Sequence, residues 1–401
     1  MTRKLFSLSG LLLLLVVLAA CGTNSGSWAG VTAVEEPEAT YLIVSYRDFI
    51  AKVDLDGDRQ WAYPDDENRG PDFFAAAAVD EDVLYVGDYE GGVHAVDLET
   101  GDPLWVNEQQ ATNLFGFINF GGSTDRVIGE IAVGDGVLYV PDEHGVYALD
   151  QSTGERIEGW DLETERAVWS QPLYVPATED QPAQLYVASL DQYIYAVDPA
   201  TGEVFWKTDL DAAAPAAPTY DAERDVLFVG TFGQDLFAIN AEDGAILDRY
   251  EVEGWLWDQP TLSEGQIFIG DLDGYLYALD FAEGAFEELW SEQLEDAKIR
   301  AQPLVTEALV LASTSNGHVY ALNRETGQQE WRTTIEDEPE LLSRLILAEF
   351  VEEETGDLEP VIVTATDDVN RLVVRLRLEN GNTTGARYET QGLTPHARPD
   401  R

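Results

Sequence analysis

Few residues of this chain are of a type that performs covalent or metal chemistry. There is one cysteine, Cys21, and there are four histidines, His94, His144, His318 and His396. The histidines lack the short, regular separations of a metal site. The run Asp54-Leu55-Asp56-Gly57-Asp58 begins like a calcium loop. Its glycine stands fourth rather than sixth, which predicts a plain turn. No G-x-S-x-G nucleophile motif occurs. The sequence therefore predicts no catalytic residue and no metal ligand.

The residue types that do recur are those that bind. Three segments read alike: Trp169-Ser170-Gln171-Pro172, Trp257-Asp258-Gln259-Pro260 and Arg300-Ala301-Gln302-Pro303. A fourth, Ala216-Ala217-Pro218, stands at the corresponding place. Tryptophan and arginine are favoured anchors at interfaces, and proline stiffens the chain while removing an amide donor. Were these segments to open inner strands around a common axis, Trp169, Trp257 and Arg300 would line a funnel, with Gln171, Gln259 and Gln302 nearby. These six are the candidate partner-binding residues. The alternative is that both tryptophans belong to the core between neighbouring sheets.

The elements that would position them follow from a repeated phrase. His94-Ala95-Val96-Asp97, Tyr147-Ala148-Leu149-Asp150, Tyr195-Ala196-Val197-Asp198, Phe237-Ala238-Ile239-Asn240, Tyr277-Ala278-Leu279-Asp280 and Tyr320-Ala321-Leu322-Asn323 are near copies. Counted from Asp54, the acid position recurs after 43, 53, 48, 42, 40 and 43 residues. A weaker copy follows at Arg375-Leu376-Arg377. A period of this length marks a repeat architecture such as a propeller. Each unit carries an apolar run, a Gly/Asp turn and then the phrase, which is a hairpin pattern. No segment holds a sustained helical period.

Three units continue with a threonine, a glycine and a tryptophan at constant distance: Ala95, Asp97, Gly101, Trp105; Ala196, Asp198, Gly202, Trp206; and Ala321, Asn323, Gly327, Trp331. The Asp or Asn side chain caps the turn amides, and glycine supplies a positive φ. The indole then fills space left by the alanine. These twelve residues are read as structural docking positions. The pattern resembles the quinoprotein-type β-propeller family, whose signature is Ala-x-Asp-x-x-Thr-Gly-x-x-x-Trp. The resemblance covers roughly residues 41–390 and implies an all-β propeller of four-stranded antiparallel blades. Eight units predict eight blades. Seven is the alternative if the chain ends share a blade, because the first unit has no obvious inner strand before Tyr41.

Residues 1–20 read as a secretory leader: Arg3 and Lys4 precede the apolar stretch Leu11–Leu18. Leu18-Ala19-Ala20-Cys21 resembles a bacterial lipobox, which implies lipidation of Cys21. Two or more acyl chains suffice to anchor a protein stably to a membrane. Residues 21–40 are small, polar and acidic, and predict a tether; residues 391–401 form a tail. Lys and Arg total 23 against 76 Asp and Glu, a net charge of −53, so nucleic acid is excluded as a general partner. A charge of this size also favours a self-repelling, monomeric body.

In organisation the chain resembles the propeller lipoprotein of the outer-membrane β-barrel assembly machinery. That resemblance implies a non-catalytic, lipid-anchored scaffold on the extracytoplasmic side, with an envelope protein or peptide as partner and no cofactor. The rival implied by the wider family is a dehydrogenase holding pyrroloquinoline quinone and calcium. The adjacent-cysteine pair of many such enzymes is absent here, since Cys21 is the only cysteine. A third reading is a receptor for a sugar or peptide.

Overall fold

A computed structural model describes residues 30–36, 39–64, 71–108, 126–179, 181–295, 297–336, 339–341, 343–351, 358–366 and 373–384. The leader, Cys21, Trp28, His396 and the tail 391–401 lie outside the described residues.

The described residues form strands and no helix. The strands make eight four-stranded antiparallel sheets, each ordered as the chain runs. The blades span 30–63, 78–107, 132–163, 173–209, 219–251, 261–293, 304–334 and 346–384. The first strand of a blade is often only two or three residues long, and successive first strands touch one another around the axis. Apolar residues on both faces of each sheet explain the phrase: a blade is covered by a neighbour on either side. Leu276, Ala278 and Phe268 of the sixth blade pack with Val310, Ala312 and Tyr320 of the seventh. Tyr277 and Leu279, on the opposite face of the same strand, pack with Val226 and Leu236 of the fifth.

The ring closes without a shared blade. Gly30–Glu35 pairs with Thr40–Tyr46, from Gly30 opposite Ser45 to Glu35 opposite Thr40. This is the inner strand that the sequence reading placed in the tether, so the first blade begins at residue 30 rather than 41. The stretch reads as polar because only Val31 and Val34 are fully buried, one in each of two cores. Val31, Leu42 and Val44 pack against Ala348, Val361 and Val363 of the last blade. Eight blades, each with its own four strands, replace the seven-bladed alternative.

The docking positions act across the seam between blades. Asp97 Oδ1 accepts the amides of Glu99 and Thr100 at 3.1 and 2.8 Å. Asn323 Oδ1 accepts those of Glu325 and Thr326, both at 3.1 Å. Asp198 accepts the amide of Ala200 at 2.9 Å and the hydroxyl of Thr201 at 2.8 Å. Gly101, Gly202 and Gly327 follow at φ +76°, +78° and +71°. Each turn then receives the indole of the blade before it. Trp61 lies over Gly101, Trp160 over Gly202 and Trp290 over Gly327. Trp105, Trp206 and Trp331 cover Gly154, Gly244 and Gly381 in the same way. Their Nε1 atoms donate to a carbonyl in the turn of the next blade: Trp61 to Leu98, Trp105 to Gln151, Trp206 to Ala241 and Trp331 to Leu378, at 3.0 to 3.2 Å. An indole removes about 150–250 Å² from water, worth roughly a few kcal/mol per seam as an upper bound.

The fifth blade has no indole, and the sixth supplies the replacement. Two extra residues lengthen its last hairpin to Tyr275–Ala282 and Ala285–Gln293. That brings Phe281 and Phe286 against Phe228 of the fifth blade, with centroids 5.4 and 5.8 Å away.

Candidate functional site

Because every first strand starts at the same end of the ring, eight strand entrances surround one mouth of the central channel. A cavity of about 190 Å³ lies there, and all eight blades contribute to its wall. The wall includes Trp169, Gln171, Trp257, Gln259 and Arg300. Five of the six candidate residues therefore meet, although 131 positions separate Trp169 from Arg300 in the chain. Gln302 is the exception. Its side chain is not part of the wall, and its backbone amide donates to Asp258 Oδ2 at 2.8 Å. The Gln171 side chain is engaged as well, donating through Nε2 to the Ile131 carbonyl of the third blade at 3.2 Å.

The tryptophans are neither wholly core nor isolated. Trp169 is 36% exposed, and its ring centroid lies 6.5 Å from that of Trp257. Phe232, on a turn of the fifth blade, stands 5.6 Å from Trp257 and 5.3 Å from Trp255. Trp255 is 51% exposed. Four rings thus meet in successive pairs, and Trp169 and Trp257 belong to the cavity wall. The Arg300 guanidinium sits over the Trp257 ring at 5.7 Å, close enough for a cation–π attraction. Its buried Nε has no hydrogen-bond partner among the described residues.

Sequence reasoning missed the charges inside the lumen. Arg344, just before the eighth blade, donates to Glu130 Oε2 at 3.1 Å, just before the third. Protein surrounds the pair, yet the lumen leaves the Arg344 side chain 42% and the Glu130 side chain 17% exposed. Burial pushes the Glu130 carboxyl up, and the neighbouring Arg344 opposes this. Burial also pushes Asp258 up, while its carboxylate accepts the amides of Gln259 and Gln302. Glu130 and Arg344 belong to no repeated phrase, so no sequence signal marked them.

The lumen is small and its carboxylates are engaged. Its volume falls below the 300–1,000 Å³ or so of ordinary small-ligand pockets, and Glu130 and Asp258 already have partners. No group of three or more metal-ligating side chains occurs among the described residues. Asp54 is a turn cap: Oδ1 accepts the amides of Asp56 and Asp58 at 3.0 and 2.8 Å. His94 is packed, between Tyr63 Oη at 2.9 Å and Asp88 Oδ2 at 2.8 Å. His318 contacts Glu295 Oε2 at 3.0 Å.

The fold and site can be set beside known proteins. A family model described as "Outer membrane protein assembly factor BamB" matches residues 30–114 and 190–384. The unmatched interval contains the third blade, where the docking motif drifts to Trp160. The chain is 26% identical to outer membrane protein assembly factor BamB of Yersinia pestis over 168 residues, 39% of this chain and 42% of that protein. It is also 26% identical to quinohemoprotein alcohol dehydrogenase ADH IIB of Pseudomonas putida over 294 residues, 65% of this chain and 38% of that enzyme. The chain thus spans about two-fifths of the length of the curated relatives it matches. The crystal structure of BamB from Moraxella catarrhalis superposes with a TM-score of 0.63 at 18% identity, covering 86% of this chain and 95% of that one.

Proposed function

The chain belongs to the outer membrane protein assembly factor BamB family, and from that premise we propose that it is a non-catalytic propeller scaffold in outer-membrane protein assembly. The observation that carries this reading is the family match along 30–114 and 190–384. The lumen supports it: an ion pair and engaged carboxylates occupy the place where a cofactor would need room. In this reading no quinone or calcium is held, and the mouth of the channel contacts protein partners of the assembly machinery.

The protein works from the extracytoplasmic side, held by lipid on Cys21. The first described strand starts at Gly30, which lines the cavity.

The dehydrogenase reading has one observation in its favour, the similarity to ADH IIB over 65% of this chain. One pair of experiments separates the two. Affinity capture of the full-length protein from envelope membranes should bring down proteins of the barrel-assembly machinery. Addition of pyrroloquinoline quinone with calcium should produce no alcohol-dependent dye reduction. The opposite pair of results would overturn the scaffold reading.

A further inference from the structure

We propose that Arg300 and the indole beneath it form a site for one small monovalent anion, a halide or a free monocarboxylate, in the lumen. The site rests on the lumen's own geometry, apart from the scaffold reading. Arg300 lines the cavity, with its guanidinium 5.7 Å over the Trp257 ring. Among the described residues that ring is its one polar or aromatic partner: no carboxylate or carbonyl accepts from it, and its buried Nε is unpaired. A buried donor left without an acceptor is costly, more so when it is charged. Other arginines of the fold meet acids. Arg224, Arg249, Arg324, Arg344 and Arg375 each pair with a carboxylate. In a chain with 76 acidic residues against 23 basic ones, a lumen cation without an acid stands out.

The remaining lumen charges form a set of their own. Arg344 donates to Glu130 Oε2 at 3.1 Å. Asp258 engages its two oxygens with the amides of Gln259 and Gln302, each at 2.8 Å. Burial raises both carboxyls, and at both the opposing cation is Arg344. Arg300 therefore brings one positive charge that no lumen acid answers, and this sets the charge of the ligand at one. A divalent oxyanion would set its second charge near Glu130 and Asp258 with no cation to meet it. The wall sets the hydration. Ile128, Pro215, Ala216 and Ala217 line the cavity, and a guanidinium is itself weakly hydrated, so an ion that sheds water readily gains most. The cavity of about 190 Å³ far exceeds the ~10–15 Å³ that one water needs, so the ion enters with part of its water. Repulsion by the acidic exterior is screened beyond about 8 Å at physiological salt. Bonds from the guanidinium to an anion are charge-assisted and strong.

The test uses the full-length protein with chloride as the probe, at constant ionic strength. Ions that exchange with a protein site broaden the bulk chloride NMR line, and the excess width should saturate. Bromide and acetate, titrated separately, should reverse it, and sulfate should do so poorly. Whichever of the two acts at lower concentration tells a halide site from a carboxylate site. Arg300→Gln should weaken the binding about tenfold or more, the scale of one charge-assisted hydrogen bond. If Arg300→Gln does not fold, as judged by circular dichroism, crystals of the unaltered protein grown in bromide decide, with an anomalous peak expected beside the Arg300 guanidinium. An excess width that does not saturate, displacement by sulfate as effective as by bromide or acetate, undiminished binding in a folded Arg300→Gln, or bromide peaks only elsewhere on the molecule overturns the proposal.

Discussion

Arg375 Nη1 donates to the Leu55 carbonyl at 2.8 Å across the seam that closes the ring. Leu55 follows the capping residue Asp54, so its carbonyl is the counterpart of those that accept an indole N–H elsewhere. Arg375 occupies the alanine position of the last repeat, and in the sequence Gly385 stands where its tryptophan would be. The guanidinium lies 3.4 Å over the Phe350 ring and also reaches Asp56. One long cation thus does the work of an absent indole. Arg375→Ala should destabilise the fold by about 2–4 kcal/mol, because a buried acceptor loses its donor and a cavity is left. Urea unfolding measures this, and hydrogen exchange should place the earliest opening between the last blade and the first.

The contact of indole on glycine predicts a graded pair of substitutions. A Cβ at Gly327 would meet Trp290 Cδ2 at 2.8 Å, with φ at +71°. A Cβ at Gly136 meets nothing within 4 Å, with φ at +80°. Both Ala variants carry the backbone penalty of about 1 kcal/mol, and only Gly327→Ala must also displace a ring. The urea midpoint should fall clearly further for Gly327→Ala; equal midpoints would mean that the indole is not seated as described.

At the seam lacking a tryptophan, stability should reside in Phe281 and Phe286. Phe281 is 3% exposed, and Phe281→Ala should cost about 3–5 kcal/mol. Deleting Glu283 and Gly284 together should be similarly damaging, since it shortens the hairpin that carries both rings. Thermal melts of the two variants check this against Phe205→Ala, whose ring is 51% exposed and whose loss should be nearly silent.

Two sets of carboxylates give opposite pH dependences. Burial raises Asp258, Asp271 and Glu130. A raised carboxyl favours the folded state when protonated, and that contribution is lost as pH climbs through its folded pKa. Turn caps such as Asp97 are lowered by the amide and hydroxyl of Thr100, with desolvation opposing. Their contribution is present above the ordinary carboxylate range and lost as pH falls through their folded pKa. The first set should therefore add stability as pH falls toward the ordinary carboxylate range, and the contribution of caps such as Asp97 should be lost below it. Added salt should raise the neutral-pH melting temperature by screening a net charge of −53. A melting temperature that is flat in salt would contradict the second expectation.

Much of this architecture was legible because one physical problem recurs eight times. A blade needs a small residue, a capped turn and a large ring, and Ala95, Asp97, Gly101 and Trp105 record that need in order. The exceptions were not legible. Gly30–Glu35 escaped notice because an inner strand with two buried side chains resembles a tether. Phe281, Phe286 and Arg375 solve the recurrent problem with other chemistry, so the motif skips them. Glu130 and Arg344 lie 214 residues apart and meet only because the ring closes. Trp169, Trp257 and Arg300 share one cavity wall because each opens a phrase ending in Gln-Pro at a strand entrance. Gln302 lies outside that wall because the phrase fixes a strand start, not the direction of each side chain.

The central claim is that this propeller meets its partners through one mouth of its channel. A photo-reactive amino acid in place of Trp255, at the mouth, can be compared with one in place of Glu242, on a turn at the opposite end. After irradiation of intact envelope membranes, position 255 should form adducts with outer-membrane assembly proteins or their substrates, and position 242 should form few. Adducts at 242 with none at 255 would contradict the account.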